Sequence, residues 1–214
     1  MCSLKMKIET ICVGSFEVNC YIVFDASTRE AIIIDPGADE KQIKRFSKVE
    51  GLKPAFIINT HGHIDHIGAD NQFALPVYIH RDDVTLLRDP RLNLSEFLTS
   101  PFKVIQQIRT LEDNQDIYLD EVIHLKVIHT PGHTPGSICL LLRYPKEKIL
   151  FSGDTLFYEG IGRTDFPAAS SDLLISSIKK RLFVLDDETV IYPGHGPRTS
   201  IGHEKKANPF LMSR

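Results

Sequence analysis

The 214 residues are 42% hydrophobic and 25% charged, enough for one well-buried domain and too few for two of ordinary size. Twenty-five Lys and Arg against 28 Asp and Glu leave a formal charge of −3, which excludes a nucleic-acid binder working through a broad basic field. No apolar run approaches the ~18 residues of a membrane-spanning helix, and residues 1–7 lack the apolar stretch of a secretory signal, so a cytoplasmic protein without a membrane partner is expected.

The chain opens with three β-like runs, 7–13, 19–25 and 31–35, with a turn at Ser27-Thr28-Arg29 and a stop at Asp35-Pro36-Gly37. Residues 38–50 then place Ile43 and Phe46 three apart among charges, the spacing of an amphipathic helix. Helix is also expected over 81–100 and over 171–185, where Leu174, Ile178, Leu182 and Leu185 share a face and Ser170 or Ser171 caps the start. Cys2, Cys12, Cys20 and Cys139 form no CxxC pair and read as free thiols. No low-complexity linker interrupts the chain, so residues 1–214 are expected to form one domain, and alternating strands and helices give it an α/β class.

Four times an apolar run ends directly in a polar loop. Ala55-Phe56-Ile57-Ile58 leads to Asn59-Thr60-His61-Gly62-His63, and Leu125-Lys126-Val127-Ile128 to His129-Thr130-Pro131-Gly132-His133. Lys148-Ile149-Leu150-Phe151 leads to Ser152-Gly153-Asp154, and Thr189-Val190-Ile191 to Tyr192-Pro193-Gly194-His195. Loops at the carboxyl ends of strands are where α/β proteins place ligands, and strands running the same way would bring these four to one edge. Three of them end in Gly-His, which hints at internal duplication.

The densest signal is His61-Gly62-His63-Ile64-Asp65-His66, four metal-capable side chains within six residues. Imidazole and carboxylate suit zinc, with iron or manganese as alternatives. His61 and His63, two apart at a strand end, can point to one side; Asp65 and His66, adjacent, reach a second point only if the chain turns there. Ile67-Gly68-Ala69 reads as a turn into a helix. A tetrahedral metal with an open position needs three protein ligands. The seven candidates His61, His63, Asp65, His66, His133, Asp154 and His195 exceed that and point to two divalent ions. Paired cations repel unless an anion bridges them. His61, His63 and His133 are assigned to one ion, Asp65, His66 and His195 to the other, and Asp154 to the bridge.

The HxHxDH string, followed in order by His133, Asp154 and His195, resembles the metallo-β-lactamase superfamily, and within it the short bacterial glyoxalase II-like hydrolases. The likeness runs from about Met6 to the C-terminus. It includes Thr130-Pro131-Gly132-His133-Thr134-Pro135-Gly136, Gly162-Arg163-Thr164-Asp165-Phe166, Tyr192-Pro193-Gly194-His195-Gly196-Pro197 and the tail from Ile201-Gly202-His203-Glu204 to Asn208-Pro209-Phe210. The resemblance implies an αβ/βα sandwich of two facing mixed sheets with helices outside, metals at one edge, and the same ligand assignment. It also implies hydrolysis of a small thioester, hydroxyacylglutathione-like, by hydroxide formed when the two cations lower a bridging water's pKa from ~15.7 to ~7. Asp65 would orient that hydroxide.

In glyoxalase II-like relatives a cation at the position of Arg163 suits a substrate carboxylate, which the guanidinium fork can grip; bracing of its own loop through Asp165 is the competing role. Full-length glyoxalase II proteins continue beyond the Asn-Pro-Phe region, whereas this chain ends four residues after Phe210, so the expected substrate is a small thioester, glutathione-derived or otherwise. Three rivals stand beside this reading: a mono-iron persulfide dioxygenase using two His and Asp154, another ester or lactone hydrolase, and a lactamase-like or non-catalytic use of the fold. Outside the ligand pattern, Phe157 and Tyr192 are candidates to line the cleft, and His129, at the position of Asn59 in the first Gly-His loop, to support the ligands by hydrogen bonding. Lys205 and Lys206 read as a solvated helix face, and His80, His124 and His203 as structural or surface residues.

Overall fold

In the computed structural model, which describes residues 6–121, 123–144 and 147–212, strand β2 (Val18–Asp25) is buried at every position. Successive side chains of a strand point to opposite faces, so such a strand needs cover on both sides. Tyr21 and Val23 face one apolar cluster, and Cys20, Ile22 and Phe24 another. β2 pairs antiparallel with β1 (Met6–Val13) and β3 (Glu30–Ile34). Beyond β3, the strands β4 (Lys53–Ile58), β5 (Val77–His80) and β6 (Ile108–Leu111) add in parallel, giving a mixed sheet in the order β1-β2-β3-β4-β5-β6.

The rest of the chain builds a second mixed sheet. Its strands are β7 (Asp116–Tyr118), β8 (His124–His129), β9 (Ile138–Tyr144) and β10 (Glu147–Gly153); after a small ribbon of β11 (Leu156–Phe157) and β12 (Gly160–Ile161) come β13 (Val190–Pro193) and β14 (Thr199–Ser200). The order is β14-β13-β10-β9-β8-β7. β8 and β10 each run antiparallel to β9, and β13 runs parallel to β10, so these three point the same way. The loops that carry His133, Asp154 and His195 therefore leave one edge of this sheet, as the sequence reading expects.

Between the sheets, Tyr21, Val23, Ile32, Ile34 and Phe56 pack against Leu125, Val127, Leu140, Phe151 and Tyr192. The outer face of the first sheet, with Ile22, Ile33 and Ile57, is covered by Ile43 of α1 (Glu40–Val49) and by Ile64 and Ile67 of α2 (Ile64–Ile67). α3 (Ser95–Leu98) lies farther along the chain. The outer face of the second sheet, with Cys139, Leu150 and Ile191, is covered by Leu174 of α4 (Ser171–Ser177) and Ile201 of α5 (Ile201–Ala207). Each fully buried Ile, Leu or Phe contributes roughly 1.5–3 kcal/mol of transfer free energy. The result is the four-layer αβ/βα sandwich of the metallo-β-lactamase fold.

Two helix expectations need correction. Residues 81–100 do not form one helix: short 3₁₀ turns at Arg81–Asp83 and Leu86–Arg88 precede α3. Pro90 lacks the N–H that a helix interior needs and biases Asp89 to extended backbone, where it is found at φ −118° and ψ 112°. Leu94 then takes a left-handed conformation, φ 68°. The segment 171–185 begins as expected, with Ser170 as the cap accepting from Leu173 N–H at 3.3 Å, but the helix widens over 178–182 into a turn closed by Phe183 N–H to Ile178 O. Leu174, Ile178 and Leu182 are all buried, so the apolar stripe packs as core.

Cys12, Cys20 and Cys139 are free thiols, and Cys2 lies outside the described residues. Burial pushes the Cys139 thiol up to about 11, so it is an inert core residue. No helix of the described residues is long and apolar enough to cross a membrane.

Candidate metal centre

β4 ends at Ile58 and the loop after it, bent at Thr60 and His61, delivers His61 and His63, with His63 extended (ψ 150°) as the cap of α2. The turn needed to send Asp65 and His66 elsewhere is α2 itself, a single helical turn. Gly68 closes that helix, and Ile67-Gly68-Ala69 turns the chain into a short 3₁₀ helix, Asp70–Gln72, as the sequence reading expects. The loops after β8, β10 and β13 bring in His133, Asp154 and His195.

The donor atoms converge as two groups. His63 Nδ1 lies 2.9 Å from His133 Nε2, which lies 3.3 Å from His61 Nε2. Nearby, His66 Nε2 is 3.4 Å from His195 Nε2 and 3.3 Å from Asp154 Oδ1, while Asp65 Oδ2 is 3.4 Å from His195 Nε2. Asp154 Oδ2 sits 3.6 Å from both His133 Nε2 and His195 Nε2. Asp154 thus touches both groups, as a bridge must.

These spacings fit a metal. Ligand atoms at ~2.0–2.1 Å around one tetrahedral ion are about 3.3 Å apart. The hydrogen bonds on the far side of two rings fix which nitrogen is free: His133 Nδ1–H donates to Arg163 O at 2.7 Å and His195 Nδ1–H to Phe16 O at 2.9 Å. Each ring therefore turns its Nε2 lone pair inward, and inward lone pairs repel one another unless a cation lies between them. Asp154 Oδ1, buried, has no hydrogen-bond partner among the described residues, an orphan acceptor of the kind a metal satisfies. Gly194 makes room for the pair, since a Cβ there would collide with Asp154 Oδ1 and His66 Cε1.

Electrostatics separate the two groups. Burial, followed by the neighbouring rings His66, His133 and His63, holds His61 well below the ordinary imidazole range. Burial and His133 push His63 down to about 3. Both rings therefore favour the neutral form that a metal ligand requires. Burial also works against charge on His66, but Asp154, Asp35 and Asp65 overcome it and raise its pKa. Asp154 shows the converse: burial favours its neutral form, yet His66, His133 and His195 hold it well below the usual carboxylate range. In the second group the carboxylates thus favour the charged forms of His66 and His195 against burial, and a bound cation would compete with protons there.

Side chains around the metal ligands sort into support and cleft. Asp35, just past β3, lies 3.0 Å by Oδ2 from His66 Nδ1 and accepts from Thr60 N–H and Thr60 Oγ1, both at 2.7 Å. The sequence reading missed it, although it ends a strand beside β4 and the strand-end rule applied to the other loops would have found it. His129 Nε2–H donates to Pro135 O at 2.9 Å and so braces the His133 loop, the kind of support expected of it. A cleft of about 340 Å³ opens over the ligands, walled by Phe16, Leu94, Leu98, Phe157, Phe166 and Arg163. Phe157 lines it as expected. Tyr192 does not: it is buried between the sheets against Tyr21 and Phe151, because alternation along β13 turns it to the inner face.

Arg163 stands at the cleft with its guanidinium stacked 4.3 Å over Phe166, donating by Nε (3.0 Å) and Nη2 (2.7 Å) to Asp165. Two of its five N–H groups serve the loop, and three remain. Lys205 is tied to Asp187 at 2.6 Å. His80 stacks on His129 with centroids 3.9 Å apart, and His124 and His203 pair with Asp116 and Glu159.

Residues 13–195 match the metallo-beta-lactamase superfamily. The chain is 36% identical to hydroxyacylglutathione hydrolase GloC of Haemophilus influenzae over 98% of this chain and 100% of that protein. Among solved structures it is similar to BLEG-1 B3 metallo-beta-lactamase (38% identity, TM-score 0.89, 97% of this chain and 100% of that one). It is likewise similar to TTHA1623 in a di-iron-bound form (33% identity, TM-score 0.81, 95% and 100%).

Proposed function

Because the chain belongs to the metallo-β-lactamase superfamily, we propose that it is a dinuclear metal-dependent hydrolase, a single-domain enzyme cleaving a small thioester such as a hydroxyacylglutathione. The observation that carries this reading is the position of Asp154, with one oxygen 3.3 Å from His66 and the other 3.6 Å from both His133 and His195. His61, His63 and His133 would hold one divalent ion and Asp65, His66 and His195 the second, with Asp154 shared; two zinc ions are the first choice. Bound there, such ions supply an activated water at neutral pH and stabilise negative charge developing on a carbonyl oxygen and a departing thiolate.

The chain's own residues do the rest. Asp65, at the cleft floor, accepts a hydrogen bond from the attacking water and aims it. The apolar wall of Phe16, Leu94, Leu98, Phe157 and Phe166 excludes bulk water and strengthens every charge interaction inside. Arg163 turns its free N–H groups to a substrate carboxylate. The whole-length likeness to GloC supports a thioester and a glutathione-derived partner; the likeness to BLEG-1 supports a lactam in the same cleft.

One preparation of purified protein tests the proposal by elemental analysis and three substrates. Two divalent ions per chain with hydrolysis of S-lactoylglutathione is the expected result. A single iron with oxygen uptake on glutathione persulfide would make the protein a dioxygenase. Turnover of a chromogenic β-lactam without thioester cleavage would make it a lactamase.

A further inference from the structure

We propose that Asp83 is a positioning residue for the three-histidine group: its carboxylate clamps the His61–His63 loop to the His133 loop and sets the span between their imidazoles. Asp83 ends the 3₁₀ turn Arg81–Asp83 just past β5, the strand beside β4, and is fully buried. Oδ2 accepts from Gly62 N–H at 3.0 Å and from Thr134 Oγ1–H at 2.7 Å, while Oδ1 accepts from Gly136 N–H at 2.6 Å. Gly62 lies between two of the candidate ligands, and Thr134 follows the third. The two loops spring from different sheets. Their roots are joined by Ile138 N–H to Thr60 O at 2.9 Å, and Asp83 joins them farther out, where the imidazoles are.

The chemistry of the contact supports this role. Burial pushes the Asp83 carboxyl up, the bonds from Thr134, Gly136 and Gly62 work against that, and among the described residues no Lys or Arg forms an ion pair with it. A buried carboxylate without a cation persists only if its hydrogen bonds are well made or a nearby positive ion compensates it, and a divalent ion on His133 would add that compensation. The approach is also close: a Cβ on Gly136 would lie 2.6 Å from Asp83 N and 2.7 Å from its carboxylate, so the His133 loop can reach Asp83 only with glycine there. Metal ligands must be held within about 0.5 Å of productive geometry, and Asp83 constrains both loops at once.

This inference rests on the two-metal reading above, and the test separates the two. Asp83→Asn keeps the shape but offers an amide N–H to donors that need an acceptor. Cobalt(II) is titrated into metal-free wild type and variant against a chromogenic chelator, with far-UV circular dichroism confirming the fold. The expected result is that one cobalt ion binds about 10–100-fold more weakly, with the residual spectrum matching that of His133→Ala and not that of His195→Ala. A folded Asp83→Asn that binds both ions as wild type does, or that weakens the His195 ion instead, overturns the proposal. If Asp83→Asn does not fold, Thr134→Val removes one of the three bonds, and the expected effect is a smaller loss at the same ion; no loss there overturns it equally. Wild type that binds no cobalt at these histidines overturns the metal reading itself.

Discussion

Asp154 Oδ1 and His66 Nε2 stand 3.3 Å apart in the interior, too far for the 2.7–2.9 Å of a charge-assisted hydrogen bond and right for two ligands of one ion. The other oxygen of Asp154 faces His133 and His195. A residue so placed is positioned to serve two ions, and its removal is expected to cost at least one of them.

Asp154→Ala is therefore expected to drop the bound metal from two ions to one or none, and to lower kcat by about 10³-fold, the several kcal/mol that metal-ion charge stabilisation provides. Elemental analysis and steady-state kinetics on the same sample read both quantities. Two tightly retained ions would refute the bridging assignment.

Arg163 offers a cleaner separation of roles within one residue. Its carbonyl orients His133, whereas its side chain faces cleft and solvent. Arg163→Ala keeps the carbonyl, so metal content should be unchanged while KM for a carboxylate-bearing thioester rises about tenfold, the low end for a charged hydrogen bond. Equal kinetics for the two proteins would leave Arg163 only its pairing with Asp165.

The depressed pKa of His63 has a sign that can be checked in the metal-free protein. Burial and His133 hold it at about 3, while in the unfolded chain it returns to the model-peptide value of 6.5. Between those values the unfolded state binds the extra proton, so this residue's contribution to stability falls as pH drops from 6.5 towards 3. The slope reaches about 1.4 kcal/mol per pH unit. Urea unfolding of metal-free wild type and His63→Gln between pH 4 and 7 should give a steeper acid loss for wild type. Parallel curves would show that His63 takes up its proton as readily in the folded protein as in the unfolded one.

The apolar runs ending at Ile58, Ile128, Phe151 and Ile191, which lie in β4, β8, β10 and β13 although the last three strands continue one or two residues farther, and the ligand-type side chains beyond them, were legible in the sequence because alternation, chain turns and ligand chemistry are local properties. Packing decided the rest. Pro90 and the left-handed Leu94 broke a segment whose composition suited a helix. Pairing of β13 in the second sheet turned Tyr192 into the core. Only the facing of the two sheets could bring Phe16 O to His195, 179 residues away, or Asp83 between Gly62 and Thr134. A sequence prescribes which side chains can bind a cation, since that is set by their chemistry; which atoms hold those side chains in place depends on contacts between distant segments, and these exist only once both layers have closed on their common core.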